Sequence, residues 1–359
     1  MGWKSSVAVT SAFLLAHYAS AQSMLRFGCS QLVIERSDPL VNPGLNPSSH
    51  THQVVGGNSF NFSMDPAVMD PAKESTCTSC TYSEDFSNYW TASMYFRSPE
   101  NGTYKLVPQF ANWRRLGGDE KLPQEGGLTV YYMPPFGGNT KVTAFKPGFR
   151  MIAGDPNLRS KEGTYPGICH RCQGNGDGFA PCDSHDTSEF PLKMCPGGIR
   201  ATVIFPGCWD GVNLDSPDHR SHMAYGTGGM GALAGADCPA THPVRVPQVM
   251  YEIMWDTRPF NDQKYFEGGK QPFVYSFGDG TGHGQHGDYL FGWKDDALQR
   301  GMDELGKNGC YDDNCSSALK IQDGKEAIAC TKASQVAESV GRNGEWLTAL
   351  PGNVPVTYK

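Results

Sequence analysis

The sequence predicts a mainly β protein, with a β-sandwich or jelly-roll-like core carrying long disulfide-stapled loops and a few short helices. Three observations point there. Forty-three glycines and 25 prolines stand beside only 19% charged residues, a turn-rich composition without the charge excess of a disordered chain. The apolar runs are short, rich in β-branched and aromatic residues, and bounded by Gly, Pro or Asp. Twelve cysteines, an even number, allow up to six disulfides. A chain of 359 residues is long enough to bury a sizeable core.

In chain order, strands are expected at Leu32–Glu35, Leu128–Met133, Ile199–Phe205, Val249–Trp255 and Phe273–Phe277. Within the fourth, Glu252 interrupts an apolar run, so it either faces water or is buried for a purpose. The interval from Gly154 to Pro196 holds four cysteines and reads as a stapled loop. Helical pattern comes late. Asp295 and Asp296 suit the positive end of a helix, followed by Leu298, Met302 and Leu305 at helical spacing, although Gly301 weakens it. A second helix is expected over Lys325 to Val340, interrupted by Cys330 and capped by Gly341.

The first residues read as a secretory signal: Lys4, an apolar run from Val7 to Ala16, then Ala19-Ser20-Ala21 as a cleavage site that would leave Gln22 first. That run is too short to span a membrane, and no later segment approaches the required length of about 20 apolar residues. The cysteines suit an oxidising compartment, so Cys77-x-x-Cys80 and Cys169-x-x-Cys172 are read as structural disulfides rather than zinc ligands, with connectivity left open. Asn61-Phe62-Ser63, Asn101-Gly102-Thr103 and Asn314-Cys315-Ser316 are N-glycosylation triplets. A net charge of −7 argues against nucleic acid as a partner.

Three dispersed segments carry titratable groups. Cys208 to Tyr225 packs His219, His222, Asp215, Asp218, Arg220 and Tyr225 behind a strand-like run. There Ser216-Pro217 looks like a helix start, which would bring His219 and His222 to one side with Tyr225 as a proton donor. In Ser49-His50-Thr51-His52, an extended backbone would put both imidazoles on one face, able to share a metal. His283-Gly284-Gln285-His286-Gly287-Asp288 is glycine-flanked, and the preceding Gly278–Gly282 loop only loosely resembles a calcium or phosphate turn. His242 and Arg245 precede a strand, where Arg245 can clamp a carboxylate or pin a carbonyl. No Gly-x-Ser-x-Gly elbow and no His-Glu-x-x-His motif is present.

Ordered motifs, among them Val41-Asn42-Pro43-Gly44, Ser49-His50-Thr51-His52, Cys77-Thr78-Ser79-Cys80, Ser87-Asn88-Tyr89-Trp90-Thr91, Gly148-Phe149-Arg150-Met151 and His286-Gly287-Asp288-Tyr289, resemble a secreted fungal family known as domain of unknown function 1996. Members are sometimes joined to WSC carbohydrate-binding domains; this chain shows no such module. The resemblance spans about Ser37 to Trp293, and divides the chain into a signal (1–21), a core (22–293) and a helical or loop extension (294–359) packed on it. Its secretion and domain company imply a wall-polysaccharide setting.

The expectation is therefore a secreted carbohydrate-active enzyme that cleaves a polysaccharide. The His/Tyr/Arg inventory favours a β-elimination lyase, with His222 or His50 as base, Tyr225 as donor and Arg245 or His242 as neutraliser. A glycoside hydrolase would instead need two carboxyls, for which Asp215 and Asp288 are candidates. Asn88, Trp90 and Trp209 are candidate sugar contacts, and His52, His219, His286 and Asp288 are candidate ligands of a divalent metal. A non-catalytic polysaccharide-binding or host-recognised protein with a structural metal is the alternative.

Overall fold

The computed structural model describes residues 23–111, 126–135, 141–174, 180–227 and 237–359. The expected signal at 1–21 lies outside the described residues. In chain order the first eight strands are β1 (Leu25–Cys29), β2 (Val33–Glu35), β3 (His52–Gly56), β4 (Asn88–Ala92), β5 (Met94–Arg97), β6 (Tyr104–Leu106), β7 (Leu128–Met133) and β8 (Arg150–Gly154). The remainder are β9 (Ile168–Cys172), β10 (Ile199–Ile204), β11 (Cys208–Trp209), β12 (Met223–Ala224), β13 (Val244–Arg245), β14 (Gln248–Trp255), β15 (Phe273–Tyr275) and β16 (His286–Leu290). Three helices, α1 (Pro71–Glu74), α2 (Ala297–Glu304) and α3 (Gly324–Ala329), are short.

Two five-stranded antiparallel sheets form the body. One runs β1-β7-β14-β10-β9 and the other β2-β3-β4-β16-β8. Their inner faces follow the two-residue period of strands. Val130 and Tyr132 of β7, and Tyr251 and Ile253 of β14, share one apolar core with Val55 of β3 and Tyr89 of β4. Across the interface Tyr89 meets Tyr251 edge-on with centroids 5.7 Å apart, and Tyr251 donates its hydroxyl to the Asp288 carbonyl at 2.8 Å. The phenols of Tyr89, Tyr132 and Tyr289 chain together at 2.8 and 3.0 Å and end on the buried Asp85, 2.6 Å from Tyr89. The predicted β-sandwich is thus the fold, with large loops on both outer faces.

The strand expectations hold to within two residues at each end. Glu252 faces outward and is half-buried, receiving the Tyr131 hydroxyl and pairing with Arg200 at 3.2 Å. Helix α2 forms where Leu298 and Met302 reach the core. The helix expected over 325–340 stops at Ala329, because Cys330 is tied to Cys77 and its backbone turns extended there. Ser216-Pro217 starts a turn rather than a helix, since Asp218 gathers the Arg220 and Ser221 amides and His219 takes a left-handed φ of 55°.

All twelve cysteines are paired, and neither Cys-x-x-Cys closes on itself. The bridges are Cys29–Cys80, Cys77–Cys330, Cys169–Cys182, Cys172–Cys195, Cys208–Cys238 and Cys310–Cys315. Residues after Trp293 return to the sandwich: Ile321 bridges Tyr82, Leu347 bridges Tyr104, and Thr357 bridges Asp279. No helix among the described residues is long and apolar enough to cross a membrane.

Candidate metal centre and its cleft

The site stands on the outer face of the second sheet. His52 of β3 pairs with Ala92 of β4, and Gly287 of β16 pairs with Thr91, so His52 and His286 lie level on either side of β4. Val55 and Tyr289 point into the core, which by alternation sends His52, His286 and Asp288 outward. His50, two residues before His52, joins them as the sequence predicts. Ring centroids are 4.2 Å apart for His50–His52, 5.4 Å for His50–His286 and 6.2 Å for His52–His286. One nitrogen from each lies within 4.8 Å of the others, metal-ligand spacing that only this group shows among the described residues.

Hydrogen bonding sets the tautomers. His52 Nδ1 lies 3.0 Å from the Ser37 carbonyl and His286 Nδ1 lies 3.0 Å from the Gly284 carbonyl. A carbonyl only accepts, so each Nδ1 carries the proton and each Nε2 keeps a lone pair. His50 Nδ1 engages the Ser49 hydroxyl at 2.9 Å. The Nε2 atoms of His50 and His52 are buried without a protein partner. Metal-binding histidines are oriented in this way by carbonyls behind them. Burial holds all three neutral: His52 and His286 are each lowered to about 4, and His50 well below its usual value by burial and the neighbouring imidazoles. Phe277 walls the cluster, its ring 4.9 Å from His286 and 5.3 Å from His50.

A cleft of about 600 Å³ opens over these groups. Its floor is scarcely exposed: His50 is 7% exposed, His286 4%, Asp38 2% and Asp288 1%. Asp38 Oδ1 accepts the Leu40 and Val41 amides at 3.0 Å, leaving Oδ2 for the cleft. Both oxygens of Asp288 are buried without a partner. Burial raises the pKa of both carboxyls, and for Asp288 the nearby Asp38 raises it further. The rim is polar, with Asn42, Ser49, Asp155, Asn157, Asp218 and His219. His219 Nδ1 sits 2.7 Å from Asp215, so its Nε2 is the nitrogen left for the cleft. Although burial opposes it, the Ser221 and Arg220 amides and the Ser216 and Ser221 hydroxyls hold Asp218 well below the usual carboxylate range. Arg220, the cation in the lining, spends its guanidinium on the Gly154 carbonyl at 2.8 and 3.2 Å.

The structure therefore brings His50, His286, Asp288 and His219 to one cleft, with His52 fully buried beside the first two and Asp215 behind His219. The other candidates go elsewhere. His222 is buried with both nitrogens engaged, by Ser216 at 2.8 Å and the Arg150 carbonyl at 2.9 Å, which leaves no lone pair for a base. Tyr225 gives its hydroxyl to the Ile204 carbonyl at 2.6 Å on the outer face of the opposite sheet. His242 is held by Thr241 and the Ser221 carbonyl, and Arg245 lines a separate depression with Pro243 and Asp237. Trp90 is fully buried with its ring against Phe60, and Trp209 donates to the Asn213 carbonyl at 2.6 Å, so neither presents a face to a sugar. Asn88 is fully buried and bonds the Gly57 carbonyl. In the Gly278–Gly282 loop the Asp279 carboxylate accepts the amides of Thr281, Gly282 and Gly284. That knot sets the Gly284 carbonyl that orients His286.

Sequence reasoning passed over Asp38 and the carbonyls of Ser37 and Gly284. Backbone acceptors leave no trace in residue identity. Ser37-Asp38-Pro39 has no spacing to the histidines that would single out Asp38.

A family model described as a domain of unknown function (DUF1996) matches residues 38–293. No curated protein and no solved structure matches the chain.

Proposed function

The chain belongs to the DUF1996 family, and from its site we propose a secreted, metal-dependent hydrolase acting on an extracellular polysaccharide. The observation that carries the reading is the convergence of the His50, His52 and His286 nitrogens, each spaced and oriented for one cation, at the floor of a cleft. Three neutral imidazoles, two of which line the floor of a cleft, suit a divalent cation of the zinc class. Such a cation lowers the pKa of a bound water toward neutrality and polarises a carbonyl. Asp38, through its free Oδ2, and His219, through Nε2, are the groups placed to move protons beside it. Six disulfides support an oxidising compartment. A rim of amides, hydroxyls and carboxylates supports a ligand rich in hydroxyl groups.

Hydrolysis is better supported than β-elimination. A uronate would bring its negative charge against Asp155 and Asp218, Arg245 lies at a separate depression, and Arg220 in the lining is held by a backbone carbonyl. The phenol that would protonate the leaving oxygen is also bound elsewhere.

Metal analysis of the purified chain, together with a screen on neutral, amino-bearing and uronic glycans, tests this. The expected result is about one equivalent of metal, lost in both His286→Ala and His50→Gln, with product formation abolished by chelation. A metal-free wild type, or full occupancy in both variants, would contradict it. Products absorbing in the ultraviolet would show elimination instead.

A further inference from the structure

Resting on that reading, we propose that the bond hydrolysed is the acyl C–N bond of an N-acetylated amino sugar within a glycan, rather than a glycosidic bond. The shape of the floor argues for it. A glycosidic bond has a sugar ring on each side, so a site that cleaves it exposes its groups along an open trough. Here His50, His286, Asp38 and Asp288 are 1–7% exposed at the floor of the cleft, below a rim that carries the more open His219, an arrangement that suits a small projecting group such as an acetyl better than the backbone of a polymer.

The chemistry agrees. A cation polarises a carbonyl and activates water, which is what acyl hydrolysis needs. Glycosidic cleavage instead passes through an oxocarbenium-like state served by two carboxyls that flank the bond. Asp38 and Asp288 do not flank anything: both are sunk in the floor. Asp38 lines the cleft together with His286 and the rim imidazole of His219.

In the proposed step, the water oxygen bonds to the acetyl carbonyl carbon while Asp38 Oδ2 takes one water proton. The carbon–nitrogen bond then breaks as protonated His219 gives its Nε2 proton to the leaving nitrogen, with Asp215 holding Nδ1. The products are acetate and a free amine; the second water proton leaves from the new carboxyl group, and solvent returns the Asp38 proton to His219. The carboxylates of Asp155 and Asp218 at the rim complement the amine as it becomes a cation.

The test uses the full chain loaded with zinc, N-acetylglucosamine oligomers as substrate, and separate readings of acetate, free amine and new reducing ends. Acetate and amine in equal amounts without new reducing ends are expected. His219→Asn, which tolerates the left-handed backbone at that position, should lower kcat about 100-fold with metal content unchanged. Asp38→Asn should do the same through loss of the proton acceptor. Metal-loaded protein that yields reducing ends instead of acetate, or no acetate at all, overturns the acyl assignment and leaves the metal centre standing. Acetate from O-acetylated xylan but not from the amide substrate overturns the amino-sugar choice. Unchanged kcat in His219→Asn removes that residue as the acid. Protein that holds no metal defeats the underlying reading, which the metal analysis shows independently of any product.

Discussion

Asp85 has no water to ionise in. It lies fully buried between the sheets, where burial raises its pKa to about 7 against the hydrogen bonds from Tyr89 and Ser87 that lower it. The folded protein therefore holds a proton that the unfolded chain, near 3.8, releases. Stability from this group is present below the unfolded value and is lost as pH rises through about 7. Buried His170, lowered to about 4, acts in the opposite direction between there and its ordinary 6.5, so the whole-protein profile mixes signs. Asp85→Asn isolates the carboxyl. Urea unfolding at pH 4.5 and 8 should show wild type losing stability relative to this variant as pH rises, by at most about 4 kcal/mol for a shift of some three units. A constant difference across that range would mean Asp85 does not titrate as described. At this scale the sequence was a partial guide. His50 and His52 stood out because imidazoles at alternating positions on an extended segment share a face, and His286 and Asp288 because they lie in a glycine-flanked segment. His222 and Tyr225 stood out equally, and their partners turned out to be backbone carbonyls of Arg150 and Ile204, which only the fold supplies.

The strand β16 joins the two halves of the account. Its outward residues, His286 and Asp288, build the site, while Tyr289 joins the core network. Gly287 between them sits against the opposite sheet, where an added Cβ would lie 3.1–3.2 Å from side-chain atoms of Val203, Phe205 and Tyr251. Gly287→Ala should therefore overpack the interface, costing about 1–3 kcal/mol, and weaken metal binding by shifting its neighbours. Denaturation with a parallel metal titration checks it, and wild-type values in both would show that the sheets have slack there. Strands were legible because apolar alternation and bounding turns act locally. The second long helix was not, because a residue 253 positions earlier, Cys77, ends it through a disulfide. The Ser216-Pro217 turn failed as a helix for a local reason: Asp218 satisfies the amides that a helix would have used.

For the whole molecule, the two sheets form the base, and loops together with the returning C-terminal segment wall the cleft on one outer face. Val354, beyond the family match, lines that cleft, and Thr357 pairs with the loop that orients His286. A β-sandwich with stapled loops could be read from composition and cysteine count, because both reflect averages over the chain. Which face carried the site could not, since it depends on the register of β3, β4 and β16. The central claim is that three imidazoles on that face hold one cation. X-ray absorption at the metal edge of the purified, metal-loaded chain tests it most directly. The account predicts three histidine nitrogens at about 2.0–2.1 Å with an oxygen completing the shell, and loss of the bound metal and its edge signal in His52→Ala. Sulfur in the shell, a shell of oxygens alone, or an unchanged spectrum in that variant would contradict it.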